Sequence, residues 1–333
     1  MIDKIKLMND NFNPDYILNN LRWKAVENDN LPNKKMLQAR LYNDLKDKRK
    51  IMGLAILLTE NLNTKTYSIS IQGSIRKWYY KCNSRKDLSY TDFLDSINLL
   101  SIKLGLKQDV IWDTFKITNL ELGITLLLKA EFHNIMDCFV KYQNAIRDNK
   151  FETTVYFKFK NYKILLYDKF IEINKGKIWG KNEKNIFNKF HFLRFEISVT
   201  KVSGTNFKNK YDTLELLKCN WNEIPKILYN YLDKIEFVDL ISKEKKTETV
   251  TRIDFLNKLC FLGIKSNGIH KTIMDFNKLE IPNNKSKYFK DLMGIYKSNI
   301  STDRDYKAEI LGELRKKTDR LYNKSNNRYI NSV

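Results

Sequence analysis

Five polar side chains on three strand-like segments are of the types that phosphodiester cleavage requires. Glu121 stands in the first segment, Tyr167 and Lys169 in the second, and Arg194 and Glu196 in the third. Carboxylates can hold a divalent cation that polarises a phosphate. A tyrosine hydroxyl can attack phosphorus and keep the strand covalently attached. A nearby lysine can lower the phenol pKa or stabilise the oxyanion, so the set suits a metal-assisted nuclease.

Alternation of apolar and polar residues predicts that these three segments, 117–128, 162–173 and 192–200, are β-strands. Successive strand side chains point to opposite faces, so each strand would pack one face on a core and leave the other face open. If the strands are neighbours, the polar residues converge on the open face. The alternative is a surface ion pair in the third strand and a solvated glutamate in the first.

The elements around these strands predict an α+β domain with an antiparallel sheet of the split βαβ type. Residues 66–80 alternate as one bent strand or two short ones, with Gly73 at the bend. A helix is predicted after the Ser89 region, with Gly105 at its end. A helix-like segment covers 134–147, and a loop covers 174–188.

Beyond about residue 210 the sequence predicts mainly helices. We therefore expect an α+β domain over 1–210, with its catalytic strands at about 66–200, and a helical region over 211–333. Residues 244–249 form a candidate linker. Two short helices around Gly263 and Gly268 make a weak helix-turn-helix-like pattern, and a basic helix covers 306–322.

Composition indicates a globular protein with a polyanionic partner. The chain has 42% hydrophobic and 13% aromatic residues and a net charge of +21. Lysine and arginine contacts to phosphates supply most non-specific affinity for nucleic acid, which is the commonest such partner. The absence of an 18-residue apolar run and of a secretory signal predicts a soluble protein of the cytoplasm. The four cysteines form no CxxC pair and the three histidines show no zinc-ligand spacing, so reduced thiols and no zinc site are expected.

Four segments in order resemble the filamentous-phage gene II replication proteins and the related Rep proteins of small plasmids. A Gly-Ser strand leads into an Asn-containing turn, GSIRKWYYKCN, and is followed by an acidic strand, ITNLELGI. A Tyr-x-Lys strand with a later Glu, YDKFIE, precedes an Arg-x-Glu strand, LRFEI, and the basic segment KVSGTNFK. The resemblance covers roughly residues 73–208.

This resemblance implies an HUH-endonuclease-like nicking domain and a role for each matching residue. Tyr167 would be the nucleophile, with Lys169 as its neighbouring cation and Arg194 at the edge of the site. Glu121 would be an acidic metal-site residue, and Glu172 and Glu196 would be supporting carboxylates. The strand parity of Glu172 is opposite to that of Tyr167, so its role requires a bulge or a strand end.

The sequence departs from the family pattern at three places. Glu121 stands where members often carry Asp, and Cys82 precedes Asn83 where some carry His. The His-hydrophobic-His pair of many other rolling-circle initiators is missing. The metal would therefore be held by oxygen ligands, which favours Mg²⁺ or Mn²⁺, while His133 and His191 are expected to have structural roles.

The resulting hypothesis is a rolling-circle replication initiator that nicks origin DNA, single-stranded or hairpin, through a 5′-phosphotyrosyl link. The free 3′-OH would prime a host polymerase in a bacterial cytoplasm. The hypothesis is compatible with a host helicase as a further partner and with a homodimer. A membrane partner is not expected. A second candidate nucleophile is the pair Tyr229 and Tyr231, although tyrosines at this helical spacing usually pack. The rival is a basic, non-enzymatic origin-binding initiator, which would need neither a metal nor a tyrosine.

Overall fold

The computed structural model describes residues 1–27, 30–43, 52–83, 85–132, 135–151, 153–178, 180–238, 243–245, 251–280, 283–301 and 305–330. Its centre is a ten-stranded sheet in which every pair of neighbours is antiparallel. Across the sheet, the strands are β2 (Lys24–Val26), β3 (Lys34–Tyr42), β4 (Gly53–Asn61), β5 (Tyr67–Ser74), β1 (Ile2–Asn9), β6 (Lys116–Lys129), β12 (Phe190–Val199), β11 (Tyr162–Asp168), β10 (Thr154–Lys158) and β9 (Asp148–Phe151).

Helices precede, interrupt and follow these strands. In the first 200 residues they are α1 (Asp15–Leu18), α2 (Ile75–Tyr80), α3 (Tyr90–Leu104), α4 (Gln108–Thr114), α5 (Lys169–Asn174) and α6 (Lys181–Lys189). The C-terminal part contains α7 (Lys208–Tyr211), α8 (Leu214–Cys219), α9 (Ile224–Asp233), α10 (Arg252–Asn267), α11 (Ile269–Lys278), α12 (Lys285–Ser298) and α13 (Tyr306–Ile330). The fold is therefore α+β with a mainly helical C-terminal region, as the sequence predicts.

Two small sheets lie among the later elements. One contains β13 (Ile235–Phe237), β7 (Phe139–Tyr142) and β8 (Ala145–Ile146). The other pairs β14 (Lys243–Glu244) with β15 (Ile300–Ser301) at the two ends of the α10–α12 segment. Glu244 of the expected linker thus belongs to a strand, while residues 246–249 lie outside the described residues.

Strand β1 lies in the middle of the sheet, and its sequence alternates apolar residues such as Ile5 and Leu7 with lysines. It pairs with β5 on one side and with β6 on the other, antiparallel in both cases. Strands β5 and β6 therefore run in the same direction with β1 between them, and α2, α3 and α4 connect them.

The main hydrophobic core lies on the face of the sheet that carries the alternating apolar residues of β6 and β12. Helices α3, α9 and α13 pack on this face. Its strand residues are fully or almost fully buried: Leu120, Leu122, Ile124, Leu126, Leu193, Phe195, Ile197 and Val199. A second, smaller core joins α10, α11 and α12 through residues such as Phe261, Ile273 and Phe289.

The opposite, polar face is only partly open, which corrects the expectation of an open sheet face. Helix α2 contacts β1, and α5 contacts β11 and β12, at the end of the face where Arg194 lies. At the other end, β1, β6 and β12 leave Lys6, Asn119 and Ser198 partly accessible. Functional groups on this face are therefore divided between a covered half and an accessible half.

Local capping explains which predicted boundaries are confirmed. The strands at 117–128 and 192–200 and the helix before Gly105 form nearly as expected. Ser89 and Asp92 cap each other's backbone N–H groups at the start of α3, and Gly105 ends it in the left-handed conformation at φ 74°. The break between α10 and α11 falls at Gly268, whereas Gly263 lies inside α10.

Two predicted strands are too long because a side chain begins a helix inside each. Ser74 accepts a hydrogen bond from the Lys77 N–H, so the strand predicted over 66–80 ends there and α2 begins. Asp168 accepts from the N–H groups of Phe170 and Ile171, so the strand predicted over 162–173 gives way to α5. Such N-caps compete with strand pairing because they satisfy the backbone donors locally.

Two further predictions are wrong. The helix expected over 134–147 is a 3₁₀ turn, Ile135–Cys138, followed by the hairpin of β7 and β8, which turns at Gln143 with φ 51°. The loop expected over 174–188 contains α6. None of the helices in the described ranges combines the length and the apolar character needed to cross a bilayer.

Candidate functional site

The sheet brings the predicted strands together as direct neighbours in the order β6, β12, β11. Arg194 is paired with Tyr167 on one side and with Thr125 on the other, and Glu196 is paired with Gly123. Paired residues in antiparallel strands point to the same face. The tyrosine, the arginine and the glutamates therefore share the polar face, as the alternation predicts.

Arg194 is fully buried and forms the centre of the site. Its Nε donates to Glu196 Oε1 at 2.8 Å and its Nη2 to Asp3 Oδ2 at 2.7 Å. Its Nη1 donates to Asp87 Oδ1 and to Thr125 Oγ1. Each of the three guanidinium nitrogens therefore has a partner, and three of these partners are carboxylates. Arg194 is thus neither at the edge of the site nor half of a surface ion pair.

Gly123 creates the space that this guanidinium occupies. A Cβ atom at this position would lie 2.5 Å from Arg194 Nη2 and 3.0 Å from both Arg194 Cζ and Glu196 Cγ. The neighbouring atoms are held by charged hydrogen bonds and have little freedom to move. The glycine in LELGI therefore has a packing reason, which the spacing of the charged residues alone does not reveal.

Asp3 and Asp87 are site residues that sequence reasoning missed. Asp3 Oδ2 lies 3.1 Å from Arg76 Nη2, and its Oδ1 accepts from the Ser74 hydroxyl. Asp3 lies where the pairing register of β1 with β6 shifts. Asp87 Oδ2 accepts from the Thr125 N–H at 3.0 Å, on a stretch of β6 beyond its pairing with β1. The alternation of Ile5 and Leu7 with lysines was the signal available for β1, but it says nothing about Asp87.

Three buried carboxylates, Asp3, Glu121 and Glu196, form an acidic group in which one oxygen of each lies within 4.8 Å of the others. Burial, followed by the charge of Glu196, raises the pKa of Glu121 to about 7, although Lys4 opposes the shift. Burial also opposes ionisation of Asp3, but the adjacent arginines outweigh it and lower the pKa of Asp3. Sequence analysis expected Glu172 rather than Asp3 in this set.

The Tyr167 hydroxyl donates to Glu196 Oε1 at 3.0 Å. Burial and the charge of Glu196 raise the pKa of Tyr167 well above its usual range. Lys169 does not reverse this shift, in contrast to the role expected for it. Its Nζ lies 5.6 Å from the centroid of the tyrosine ring and bonds Glu172 at 2.7 Å, and burial lowers its own pKa. The phenol is therefore protonated at neutral pH and needs a base, for which Glu196 is placed.

Glu172 lies beside the acidic group rather than in it. It follows Lys169 in the first turn of α5. In a continuous strand Glu172 would point away from the face of Tyr167, but the helix turns it back towards that face. Its carboxylate contacts Lys169 and, at 3.9 Å, Lys77. Burial opposes ionisation of Glu172, but its bond to Lys169 outweighs this and lowers its pKa. Glu172 thus holds Lys169 next to the ring of Tyr167.

The remaining candidates have packing or orienting contacts. His191 Nδ1 lies 3.1 Å from Asp168 Oδ2, which agrees with a structural role, whereas His133 lies outside the described residues. Tyr229 lies under the Arg315 guanidinium at 4.4 Å, and Tyr231 stacks on the ring of Tyr142. Both tyrosines of the alternative pair therefore take part in packing.

The donor set of the acidic group fits a hard divalent cation. Mg²⁺ and Mn²⁺ prefer carboxylate oxygens, and three are available here. Glu121 is held by Lys4 at 2.9 Å, but the Lys4 side chain is 56% exposed, so it can move away without disturbing the core. Among the described residues, no donor bonds Glu196 Oε2. Scans of the chain against protein-family models, curated proteins and solved structures gave no match.

We expect Gly123→Ala to destabilise the protein by about 2 kcal/mol, because the added methyl group overpacks the site of Arg194. Gly294→Ala in α12 is the matched control, since a Cβ there meets nothing within 4 Å. It should be neutral or stabilising by up to about 1 kcal/mol. Urea unfolding followed by circular dichroism measures both. A Gly123→Ala protein as stable as the parent would contradict the packing described.

We also expect Glu121 to make stability depend on pH. Its pKa rises from an ordinary 4.5 to about 7 on folding, so its contribution is complete below pH 4.5 and is lost as pH rises through about 7. Relative to Glu121→Gln, the parent protein should lose on the order of 2 kcal/mol of unfolding free energy between pH 5 and 8.

The measurement is urea unfolding of both proteins at several pH values in EDTA. Glu172→Gln is the control, because the pKa of Glu172 is lowered and its contribution is lost only at acidic pH. A constant difference between parent and Glu121→Gln from pH 5 to 8 would argue against the electrostatics described.

Proposed function

We propose that this protein is a DNA-nicking initiator of rolling-circle replication with Tyr167 as its nucleophile. The observation that carries the proposal is the hydrogen bond from the Tyr167 hydroxyl to Glu196, a member of the buried acidic group. Nucleophile, base and candidate metal ligands thus occupy one sheet face. A nucleophile hydrogen-bonded to a base, with the base oriented by a third group, is the usual arrangement for covalent catalysis.

The fold and the charge support this proposal. Strands β5 and β6 flank β1 and are joined by helices, which is the arrangement of a split βαβ unit in an HUH-endonuclease-like domain. The net charge of +21 suits a phosphodiester substrate. The segments that resemble gene II and Rep proteins supply Tyr167, Glu121 and Glu196 in this site.

In the proposed reaction, Glu196 accepts the phenolic proton while the Tyr167 oxygen attacks the scissile phosphorus. A bond forms between phosphorus and the tyrosine oxygen, and the bond from phosphorus to the 3′ oxygen breaks. The leaving 3′ oxygen takes up a proton and becomes a 3′-OH. Attack by a 3′-OH on the phosphotyrosine reverses the step and rejoins the strand, which needs no external energy source.

The surrounding residues would orient these groups. Arg194 fixes Glu196 and Asp3 through charged hydrogen bonds, so we assign it a positioning role. Lys169, held by Glu172, adds positive charge near the ring of Tyr167. Mg²⁺ or Mn²⁺ held by Asp3, Glu121 and Glu196 would supply charge neutralisation at the phosphate.

The biological setting follows from this chemistry. The free 3′-OH would prime a host polymerase, and a host helicase would unwind the duplex ahead of it, in the cytoplasm of a bacterial host. Origin DNA, exposed as a single strand or a hairpin, would be the substrate. A homodimer is compatible with the second cleavage that releases a circle.

One observation favours the rival, a non-enzymatic origin-binding initiator. Each carboxylate of the acidic group already contacts a cation: Asp3 contacts Arg76 and Arg194, Glu121 contacts Lys4, and Glu196 contacts Arg194. Buried networks of this kind also occur as purely structural features. Such a protein would bind DNA without cutting it.

We expect a nicking assay to separate the two functions. The purified protein should convert supercoiled origin DNA to an open circle with Mn²⁺ and leave a protein–DNA adduct at a 5′ end. Tyr167→Phe should reduce adduct formation by at least about 10³-fold, because the nucleophile is lost. Mass spectrometry of the digested adduct should place the nucleotide on Tyr167.

Tyr229→Phe is the matched control and should retain activity, since the Tyr229 ring packs under the Arg315 guanidinium and Tyr229 is not part of the acidic group. An adduct that survives Tyr167→Phe would refute the assigned nucleophile. Tight binding of authentic origin DNA without any cleavage, in Mg²⁺ and in Mn²⁺, would favour the rival.

A further inference from the structure

The polar face of the sheet continues beyond the acidic group into a basic groove. The groove has a volume of about 390 Å³ and is lined chiefly by Lys6, Lys116, Asn119, Thr200, Lys201 and Ser203. It lies where β1, β6 and β12 are partly accessible. Nothing in the chemistry proposed for Tyr167 uses these residues, so the groove calls for a ligand of its own.

The pairing of the strands places the groove on the same face as Tyr167. Lys6 is paired with Asn119, and Met8 with Lys116, so these four side chains point the same way. Asn119 is two residues from Glu121, and Thr200 is four residues from Glu196 along β12 and its extension. Side chains at even spacing share a face. At about 3.3 Å per residue, the groove begins roughly 13 Å from Glu196.

The lysines of the groove differ from the lysine beside the acidic group. Lys4 is paired with Glu121, whereas none of Lys6, Lys116 and Lys201 forms an ion pair with any residue in the described ranges. Asp212 also lines the groove, but it lies beyond 4.0 Å of their ammonium groups. Positive charge left uncompensated in a concave site attracts a polyanion.

We infer that this groove binds the single-stranded DNA that adjoins the scissile phosphate, with Lys6, Lys116 and Lys201 contacting its backbone. The inference rests on the proposed function for the position of the scissile phosphate. A distance of roughly 13 Å corresponds to at most about four stacked nucleotides of one strand. The ligand is a single strand because α2 and α5 cover the Tyr167 end of the face, so a duplex cannot lie along its whole length.

Asn119, Thr200 and Ser203 suit the same ligand. Their amide and hydroxyl groups can bond phosphate oxygens or base edges, which supplements the charge of the lysines. The groove therefore combines the long-range attraction of three ammonium groups with short-range polar contacts. It would hold the strand on one side of the scissile bond while Tyr167 attacks.

The test is fluorescence anisotropy with a labelled single-stranded oligonucleotide, in EDTA and in a Tyr167→Phe background so that no cleavage takes place. We expect the triple variant Lys6→Gln, Lys116→Gln, Lys201→Gln to bind on the order of tenfold more weakly. The slope of log affinity against log salt should become shallower by about 2, because each lost single-strand phosphate contact removes about 0.7.

The matched control is Lys107→Gln, Lys226→Gln, Lys287→Gln, which removes the same charge elsewhere and should change affinity less than threefold. Ser203→Glu, an exposed position in the groove, should weaken binding in the same direction without removing a lysine. Equal losses in the groove and control triples would overturn the inference. The inference would also be overturned if the groove triple variant bound a hairpin duplex more weakly but bound the single-stranded oligonucleotide as well as the parent does.

Because these experiments measure binding without cleavage, they separate the groove from the nuclease. Groove-dependent binding in a protein that never nicks would support the groove and contradict the proposed function. Nicking that is unaffected by the groove triple at low DNA concentration and moderate salt would support the function and contradict the groove.

Discussion

The buried guanidinium of Arg194 is the interaction on which the site depends. It joins Asp3 of β1, Glu196 of β12 and Asp87 of the segment before α3, which are far apart in the chain. A buried charge with no partners would be very costly, so the three carboxylates and the arginine require one another. Gly123 leaves the space in which the guanidinium lies.

This network also sets the ionisation states around Tyr167. The arginines keep Asp3 ionised, whereas burial and the charge of Glu196 raise the pKa of Glu121 to about 7 despite the ion pair with the exposed Lys4. Excess negative charge that is only loosely compensated is what a divalent cation can relieve. The face thus changes from a buried half in which Arg194 is paired with three carboxylates, through the partly exposed ion pair of Lys4 and Glu121, to the groove lysines, which form no ion pair with any described residue. This gradient would let the protein bind a polyanion at one end and activate a hydroxyl at the other.

Much of the sheet that carries the candidate site could be predicted from the sequence, because alternation in a strand reports directly which side chains share a face. The strands that carry Glu121 and Glu196 have nearly the expected bounds, and their neighbouring positions put Tyr167 beside Arg194. Strand alternation failed at 66–80 and 162–173, where N-caps at Ser74 and Asp168 start helices. The apolar and polar residues of these segments fit a strand or a short helix equally well. The hydrogen bonds that the Ser74 and Asp168 side chains accept from the backbone favour the helix.

The composition of the acidic group could not be predicted, since it depends on long-range placement. Asp3 enters the site because β1 lies in the middle of the sheet, and Asp87 because β1 ends before β6 does. Neither fact has a sequence signature near the residue itself. Glu172 seemed an equally good ligand by motif, but α5 turns it towards lysines. The segments that resemble gene II and Rep proteins lie on neighbouring strands of the sheet, but they do not include Asp3.

The most direct test of the central claim, that the carboxylates beside Tyr167 form a metal centre, is anomalous diffraction at the manganese edge. Crystals of the protein would be grown at about pH 8 and soaked in Mn²⁺. If these carboxylates form a metal centre, we expect an anomalous peak beside Glu121, Glu196 and Asp3, with the Lys4 ammonium moved away from Glu121. The claim would be contradicted if Mn²⁺ occupied other sites in the crystal but gave no peak at this group, and if Lys4 remained bound to Glu121. The network around Arg194 would then be structural, and Tyr167 would lose its assigned role.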